Sequence, residues 1–301
     1  MKKLVLGSLN IDRTYRVEKI VVPKETVSAE KYESFCGGKG FNQAVALSRA
    51  GSEVYFAGVI GHDGGVFLDE LQRDGIKTDF IKKSSTYSGH AVIQIDRDGQ
   101  NCIIIVPGSN AEITEEYIDE IFSNFSEGDL IVLQNEITCV GYAIAEARRR
   151  GLIVAFNPSP INDSLKHCDL SKVNILIVNE VEGAVISGFE DENDIIAGLR
   201  KSYPGLSIVL TKGECGSVFI DKDGTRFESE AISCDVVDTT AAGDTFTGYF
   251  LNELFRGNSP DRALRIASFA SGISVTKKGA SPSIPLFEEV EKAMNQRFPN
   301  N

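Results

Sequence analysis

Short, β-rich apolar segments alternate along this chain with longer amphipathic stretches, and that alternation leaves few folds open. Lys3 to Gly7 is followed by Gly40 to Ala50, Val54 to Val59 by Gly65 to Asp74, and Leu130 to Gln134 by Val140 to Arg150. Ile153 to Phe156, Ile175 to Val178 with Glu180 to Ser187, and Ile208 to Thr211 continue the series. Strands joined by helices predict an α/β fold with a doubly wound, mainly parallel sheet and helices on both faces. Ligands are then expected at the carboxyl ends of the strands. Two segments break the rhythm. Arg13 to Phe35 is strand-like with no helix, and Gly89 to Val106 reads as two alternating runs around the turn Asp98-Gly99. Together they predict a small antiparallel β lid.

After Val218 to Ile220 and the turn Asp223-Gly224 the pattern turns helical. Phe246, Tyr249, Phe250 and Leu254 recur at helical spacing, Ser259 and Pro260 read as N-cap and first helical residue, and Leu286 to Arg297 as a closing helix. The 301 residues could make two domains, yet no repeat, low-complexity tract or Pro-rich linker divides them. The expectation is one main domain, residues 1-12, 37-87 and 107-301, with residues 13-36 and 88-106 as the lid. Lys plus Arg number 31 against 43 Asp plus Glu, a net charge of −12, which offers no footprint for nucleic acid or an anionic membrane. No apolar run approaches the roughly 20 residues of a membrane span, and Ser8, Asn10, Asp12 and Arg13 interrupt any signal-peptide core after Lys2 and Lys3. Cys36, Cys102, Cys139, Cys168, Cys215 and Cys234 form no CxxC pair and have no neighbouring His, so a cytoplasmic protein without zinc or a disulfide frame is expected.

The most informative stretch is DTTAAGDTFTGYF, Asp238 to Phe250. Ala241, Ala242 and Gly243 are small enough for their N–H groups to approach an anion, and a helix starting there turns its positive end toward negative charge. A carboxylate beside such a cradle suits a group that accepts a proton, so Asp244 is the candidate base for phosphoryl transfer to an alcohol. A plain N-cap is the competing reading. In GGKGFNQAVAL, Gly37 to Leu47, the glycines permit tight turns, Lys39 supplies donors and Asn42 can donate and accept toward hydroxyls. An ordinary glycine turn into a helix explains the same letters. It is not a Walker A loop, because Glu33 stands at the upstream Gly position and Gly40 follows Lys39.

Asn10 and Asp12 alternate after the first strand, as polyol acceptors or as turn formers. Glu136 lies just past the strand Leu130 to Gln134, as a site residue or a solvated acid. Asn179-Glu180-Val181-Glu182 follows another strand, offering oxygen ligands for Mg²⁺ or a helix cap. Thr211 to Gly216 is a turn able to pack against a nucleotide, or an ordinary loop. No GxGxxG follows the first strand, so a dehydrogenase is disfavoured.

The two glycine motifs, in this order and at this separation, resemble the PfkB family of carbohydrate kinases over nearly the whole chain. Gly7-Ser8-Leu9-Asn10-Ile11-Asp12, Gly108-Ser109-Asn110-Ala111, Asn157-Pro158-Ser159-Pro160 and Lys278-Gly279-Ala280-Ser281-Pro282-Ser283 are similar to its ribokinase branch. The resemblance implies that Asp244 deprotonates the acceptor while Ala241 to Gly243 stabilise the transferring phosphoryl group. It implies that Asn10, Asp12, Gly38, Lys39, Asn42 and Glu136 hold the sugar, and that Asn179, Thr211, Gly213, Gly216 and Gly243 meet the nucleotide. Asn179 and Glu182 match a Mg²⁺ motif, and Asp238, Thr240, Ser274, Lys277, Gly279 and Ser283 a K⁺ site built largely from backbone oxygens. The implied reaction is ATP-dependent phosphorylation of D-ribose to D-ribose 5-phosphate, in a homodimer formed through the lid.

Three departures stand out. Phe41 replaces the small residue usual before Asn42, Pro23-Lys24-Glu25-Thr26 lacks the usual lid glycine, and Ser268 stands where an adenine-side Asn is common. With Phe41 pointing into the core the pocket is unchanged; a reshaped pocket would instead favour deoxyribose, a nucleoside or another small sugar, and a sugar- or nucleotide-sensing protein without catalysis is the alternative from a different class.

Overall fold

The computed structural model describes residues 1–297. In chain order it contains β1 (Lys3–Leu6), β2 (Asn10–Arg16), β3 (Lys31–Gly37), α1 (Lys39–Arg49), β4 (Val54–Ile60), α2 (Gly65–Arg73) and β5 (Lys77–Lys83). There follow β6 (Gly89–Ile95), β7 (Asn101–Val106), α3 (Glu115–Phe122), β8 (Leu130–Gln134), α4 (Val140–Arg149) and β9 (Ile153–Asn157). The remainder runs through β10 (Ile175–Asn179), α5 (Glu180–Ser187), α6 (Glu192–Ser202), β11 (Ser207–Thr211), β12 (Ser217–Ile220) and β13 (Arg226–Ser229). It closes with α7 (Ala242–Phe255), α8 (Pro260–Ser274) and α9 (Phe287–Arg297).

The nine-stranded sheet has the order β13-β12-β11-β10-β9-β8-β1-β4-β5. Every neighbouring pair from β11 to β5 is parallel, and the hairpin strands β12 and β13 extend the edge antiparallel. The central strands are buried from end to end because helices cover both faces. Alternation along them divides the core: Val5 and Val132 join α1, α7 and α8 on one side, while Leu4, Leu6, Ile131 and Leu133 join α3, α4 and α6 on the other. β1 lies between β4 and β8, so the chain leaves it in both directions across the sheet. Crevices for ligands open at such a reversal.

The second sheet has four strands in the order β3-β2-β6-β7. Its outer pairs, β2 with β3 and β6 with β7, are antiparallel hairpins as expected, and a parallel pairing of β2 with β6 joins the two into one lid. It starts at Asn10, so β2 runs from the floor of the site into the lid without a break. Helix signals read from the sequence hold: Ser259 caps α8 by accepting from the Arg262 N–H, with Pro260 in the first turn. α1 and α7 lie close enough that a Cβ on Gly248 would overlap Ala46 and the Leu47 backbone. That approach brings the N-termini of both helices to the same end of the sheet. No helix among the described residues is long and apolar enough to cross a membrane.

Candidate active site

Two loops and two helix starts converge at the carboxyl end of β1. α1 begins at Gly38, a φ 93° residue with no side chain to cap the helix. Glu136, two residues past β8, does that work: its Oε2 accepts from the Lys39 N–H at 2.9 Å and from Ser8 Oγ. Ser8 Oγ in turn accepts from the Gly40 N–H at 3.2 Å. Asn10 is buried, and its Oδ1 accepts from Asn110 Nδ2 at 2.7 Å. The sequence reading thus misses Ser8 and Asn110 as supports, although both stand inside the motifs that carry the resemblance.

Asp244 lies in the first turn of α7 and is buried. Its Oδ2 accepts from Asn42 Nδ2 at 3.1 Å and its Oδ1 from Gln43 Nε2 at 2.9 Å. Asn42 Oδ1 is buried without a hydrogen-bond partner among the described residues, an acceptor left over for a hydroxyl. Burial, then the Glu136 and Asp244 carboxylates, push the Asp12 carboxyl up to about 7. For Lys39 burial works against the charge, but Asp244, Glu136 and Glu182 outweigh it and hold the ammonium above its usual value. One cation among four acids is an arrangement rich in acceptors for hydroxyl groups.

Phe41 does not reach this site. It is fully buried and meets Phe67 edge-on at 5.8 Å, so its ring belongs to the core between α1 and α2. Adjacent residues on a helix point about 100° apart, which separates Phe41 from Asn42.

On the other side of the α7 start lies a cavity of about 510 Å³. Thr211, Gly213, Gly216, Ala242, Gly243 and Ser268 line it, which brings together the expected nucleotide residues other than Asn179. Asn179 pairs with Thr211 in the β10–β11 register but forms a capping box with Glu182. Asn179 Oδ1 accepts from the Glu182 N–H at 2.8 Å and Glu182 Oε2 from the Asn179 N–H at 3.0 Å. Of the expected anion-hole donors, the Ala242 N–H is engaged with Thr239 O at 3.2 Å, because Ala241 sits at φ 62° and closes a tight turn. A second cavity, about 260 Å³, joins Asn10, Asn110 and Glu136 to Ile105 of the lid.

The loops around Asp238 and Gly279 also meet. Asp238 Oδ2 accepts from the Gly279 N–H at 3.0 Å and Oδ1 from Thr240, while the Asp238 N–H donates to Val275 O. Burial opposes ionisation of Asp238, and the Thr240 and Gly279 donors overcome it, holding the carboxyl below its usual range. Ser274 and Ser283 donate their hydroxyls to Ser271 O and Ala280 O, and Lys277 Nζ pairs with Glu289, so the lysine side chain is turned away. Among the described residues no cluster of three or more His, Cys, Asp or Glu could hold a metal ion unaided.

Residues 2–286 match the pfkB family carbohydrate kinase profile. The chain belongs to the PfkB family. Among PfkB relatives, the ribokinase of Haemophilus influenzae is 33% identical over 296 residues, covering 95% of each chain. A deoxyribokinase of Salmonella typhi is 31% identical, over 97% of this chain and 98% of its own. The crystal structure of a Thermotoga maritima ribokinase superposes with a TM-score of 0.87 at 33% identity, covering 98% of this chain and 99% of that one. Arabidopsis thaliana ribokinase, solved with ribose and ATP, gives a TM-score of 0.84 at 30% identity over 97% of both chains.

Proposed function

We propose that this protein transfers the γ-phosphoryl group of ATP to the primary hydroxyl of D-ribose, giving D-ribose 5-phosphate and ADP. The observation that carries the reading is the first turn of α7. Ala242 and Gly243 line the large cavity, and the next residue turns a buried carboxylate toward Asn42 and Gln43 on α1. Donor and acceptor sites therefore share one helical turn as their common wall.

In this mechanism Asn10, Asp12, Gly38, Lys39, Asn42 and Glu136 hold the sugar, and Asp244 takes the proton of the attacking hydroxyl. The new O–P bond forms as the bond to the β–γ bridging oxygen breaks, and charge on the transferring group is met by the Ala241–Gly243 turn and by Lys39. Thr211, Gly213, Gly216 and Gly243 support the nucleotide, with Asn179 beside them. The donor set suits a Mg²⁺ ion, which Asn179 and Glu182 would hold, directly or through water, since a hard cation keeps several waters and needs few carboxylates. Bound there, it would neutralise phosphate charge. The turns of Asp238, Thr240, Ser274, Lys277, Gly279 and Ser283 suit a K⁺ ion held by backbone oxygens behind the anion hole. Residues 13-36 and 88-106 close as the lid and exclude water, so that the sugar is phosphorylated in preference to ATP hydrolysis. Ile103, Ile104 and Ile105 on the open edge of that lid are about half exposed, which supports a homodimer built on the lid.

Asp244→Asn is expected to lower turnover by about 10²- to 10⁴-fold while ATP binding survives. Near-normal turnover would refute the assignment. A second reading, deoxyribose as acceptor, is favoured by the Salmonella typhi relative. Initial rates of ADP release with ribose and with deoxyribose separate the two, and no ADP release with any sugar would leave a sensing role.

A further inference from the structure

Two buried glutamines lead away from the candidate base, and the sugar and nucleotide sites account for neither. Gln43 and Gln134 are both fully buried, on α1 and at the end of β8. Gln134 Nε2 donates to Gln43 Oε1 at 2.7 Å, and Gln43 Nε2 donates to Asp244 Oδ1 at 2.9 Å and toward Asn157 Oδ1 at 3.5 Å. The polarity of this chain is dictated from one end. An ionised carboxylate only accepts, so Gln43 must present its NH₂ to Asp244, which turns its oxygen to Gln134 and fixes that amide as well. The far end, Gln134 Oε1, has no partner among the described residues and lies against Gly7, where a Cβ would collide with it. A buried polar group left unpaired is costly, and two apolar side chains of similar volume would fill this space without that cost. The carboxylate is what the pair of amides serves.

Resting on the reading of Asp244 as the base, we propose that Gln43 and Gln134 are positioning residues that dedicate its two oxygens to different tasks. Oδ1 stays engaged with Gln43 throughout the reaction. Oδ2, which shares the longer 3.1 Å bond with the sugar-facing Asn42, receives the proton from the acceptor hydroxyl as the O–P bond forms, and releases it when product leaves. The carboxylate cannot rotate about its Cβ–Cγ bond without breaking the Gln43 bond, so the lone pair on Oδ2 stays aimed at the hydroxyl.

The test is a cycle of Gln43→Met, Gln134→Met and the double variant, each assayed for kcat and KM with ATP and ribose and for thermal unfolding, with Asp244→Asn beside them. Gln43→Met is expected to lower kcat about tenfold to a hundredfold, the scale of a hydrogen bond to a charged group, with KM for ribose changed less than about threefold. Gln134→Met, which leaves the bond to Asp244 but frees the amide to flip, should lower kcat by less. The double variant removes the unpaired Gln134 amide, so its Tm should recover relative to Gln43→Met while kcat stays low. If kcat returns together with Tm, or if Gln43→Met turns over normally while Asp244→Asn is dead, the two glutamines are only structural and the proposal falls. If Asp244→Asn itself is active, the assignment of the base fails first. Should Gln43→Met not fold, the double variant carries the same comparison.

Discussion

Phe41 shows how one residue can leave two readings open at the level of letters and be settled by direction. Its bulk beside Asn42 suggests a reshaped sugar pocket, yet the ring packs on Phe67 inside the core. Phe41→Ala is therefore expected to cost about 3–5 kcal/mol in denaturant unfolding and to leave the order of preference across an acceptor panel unchanged. Asp12 belongs to the same scale. Its carboxyl is raised to about 7 by burial and by Glu136 and Asp244, so the folded state holds a proton that the unfolded chain has already released above pH 4. Its contribution to stability is thus full below the unfolded value and is lost as pH rises toward and through about 7. Asp12→Asn should lack this slope: more stable than the parent at pH 8 in thermal melts, by at most about 4 kcal/mol, with the advantage gone near pH 4 and ribose binding weakened throughout. Asp244, Asn42 and Lys39 can be read from the sequence because small residues and glycines announce them. Gln43 and Gln134 cannot, since each is one polar letter ending or entering an apolar run, and their meeting depends on β8 lying beside β1.

At the scale of elements, caps and alternation carry most of the legible information. Ser259-Pro260 marks the start of α8, and Asn179 with Glu182 marks that of α5; for the latter pair the cap is observed, and the metal role must work with the oxygen the cap leaves over. β5, α3 and α6 lie outside the expected pattern. β5 is the sheet edge, where Lys77, Lys82 and Lys83 replace the apolar run of a central strand, and α3 follows an irregular connection from the lid with acids crowding its first turn. The lid turn holds a further element-scale consequence. Lys24, where the family's turn carries glycine, adopts φ 72°. A non-glycine residue in this conformation costs about 1–2 kcal/mol, of which roughly 0.5–1 is returned by its stiffer unfolded chain. Lys24→Gly should therefore raise stability by up to about 1 kcal/mol in equilibrium unfolding, a gain read directly from the shift of the midpoint.

For the whole molecule, the net charge of −12 and the binding of a polyphosphate are compatible because charge is managed locally. In the proposed mechanism Lys39, the α7 start and metal brought by the nucleotide would answer the phosphates, so the net charge of the surface does not decide the site. The same scale governs assembly. Ile105 belongs both to the exposed lid edge and to the cavity shared with Asn10 and Glu136, so whatever covers β7 would also roof the sugar in the proposed mechanism. Ile104→Lys should shift light-scattering mass toward the monomer and raise KM for ribose more than for ATP; an unchanged mass would remove the dimer reading.

The position of β1 between β4 and β8 also sets an order of events in time. Lys3 pairs with Val54 on one flank and with Leu130 on the other, so a chain growing from its N-terminus carries its first strand half-paired until β8 has emerged. Asp244 is made later still. Contacts so distant in sequence form slowly, and the α1 start with Lys39 and Asn42 can take shape well before Asp244 arrives. With Asp244 as the proposed base, a nascent chain that has not yet reached α7 would be without the means to spend ATP.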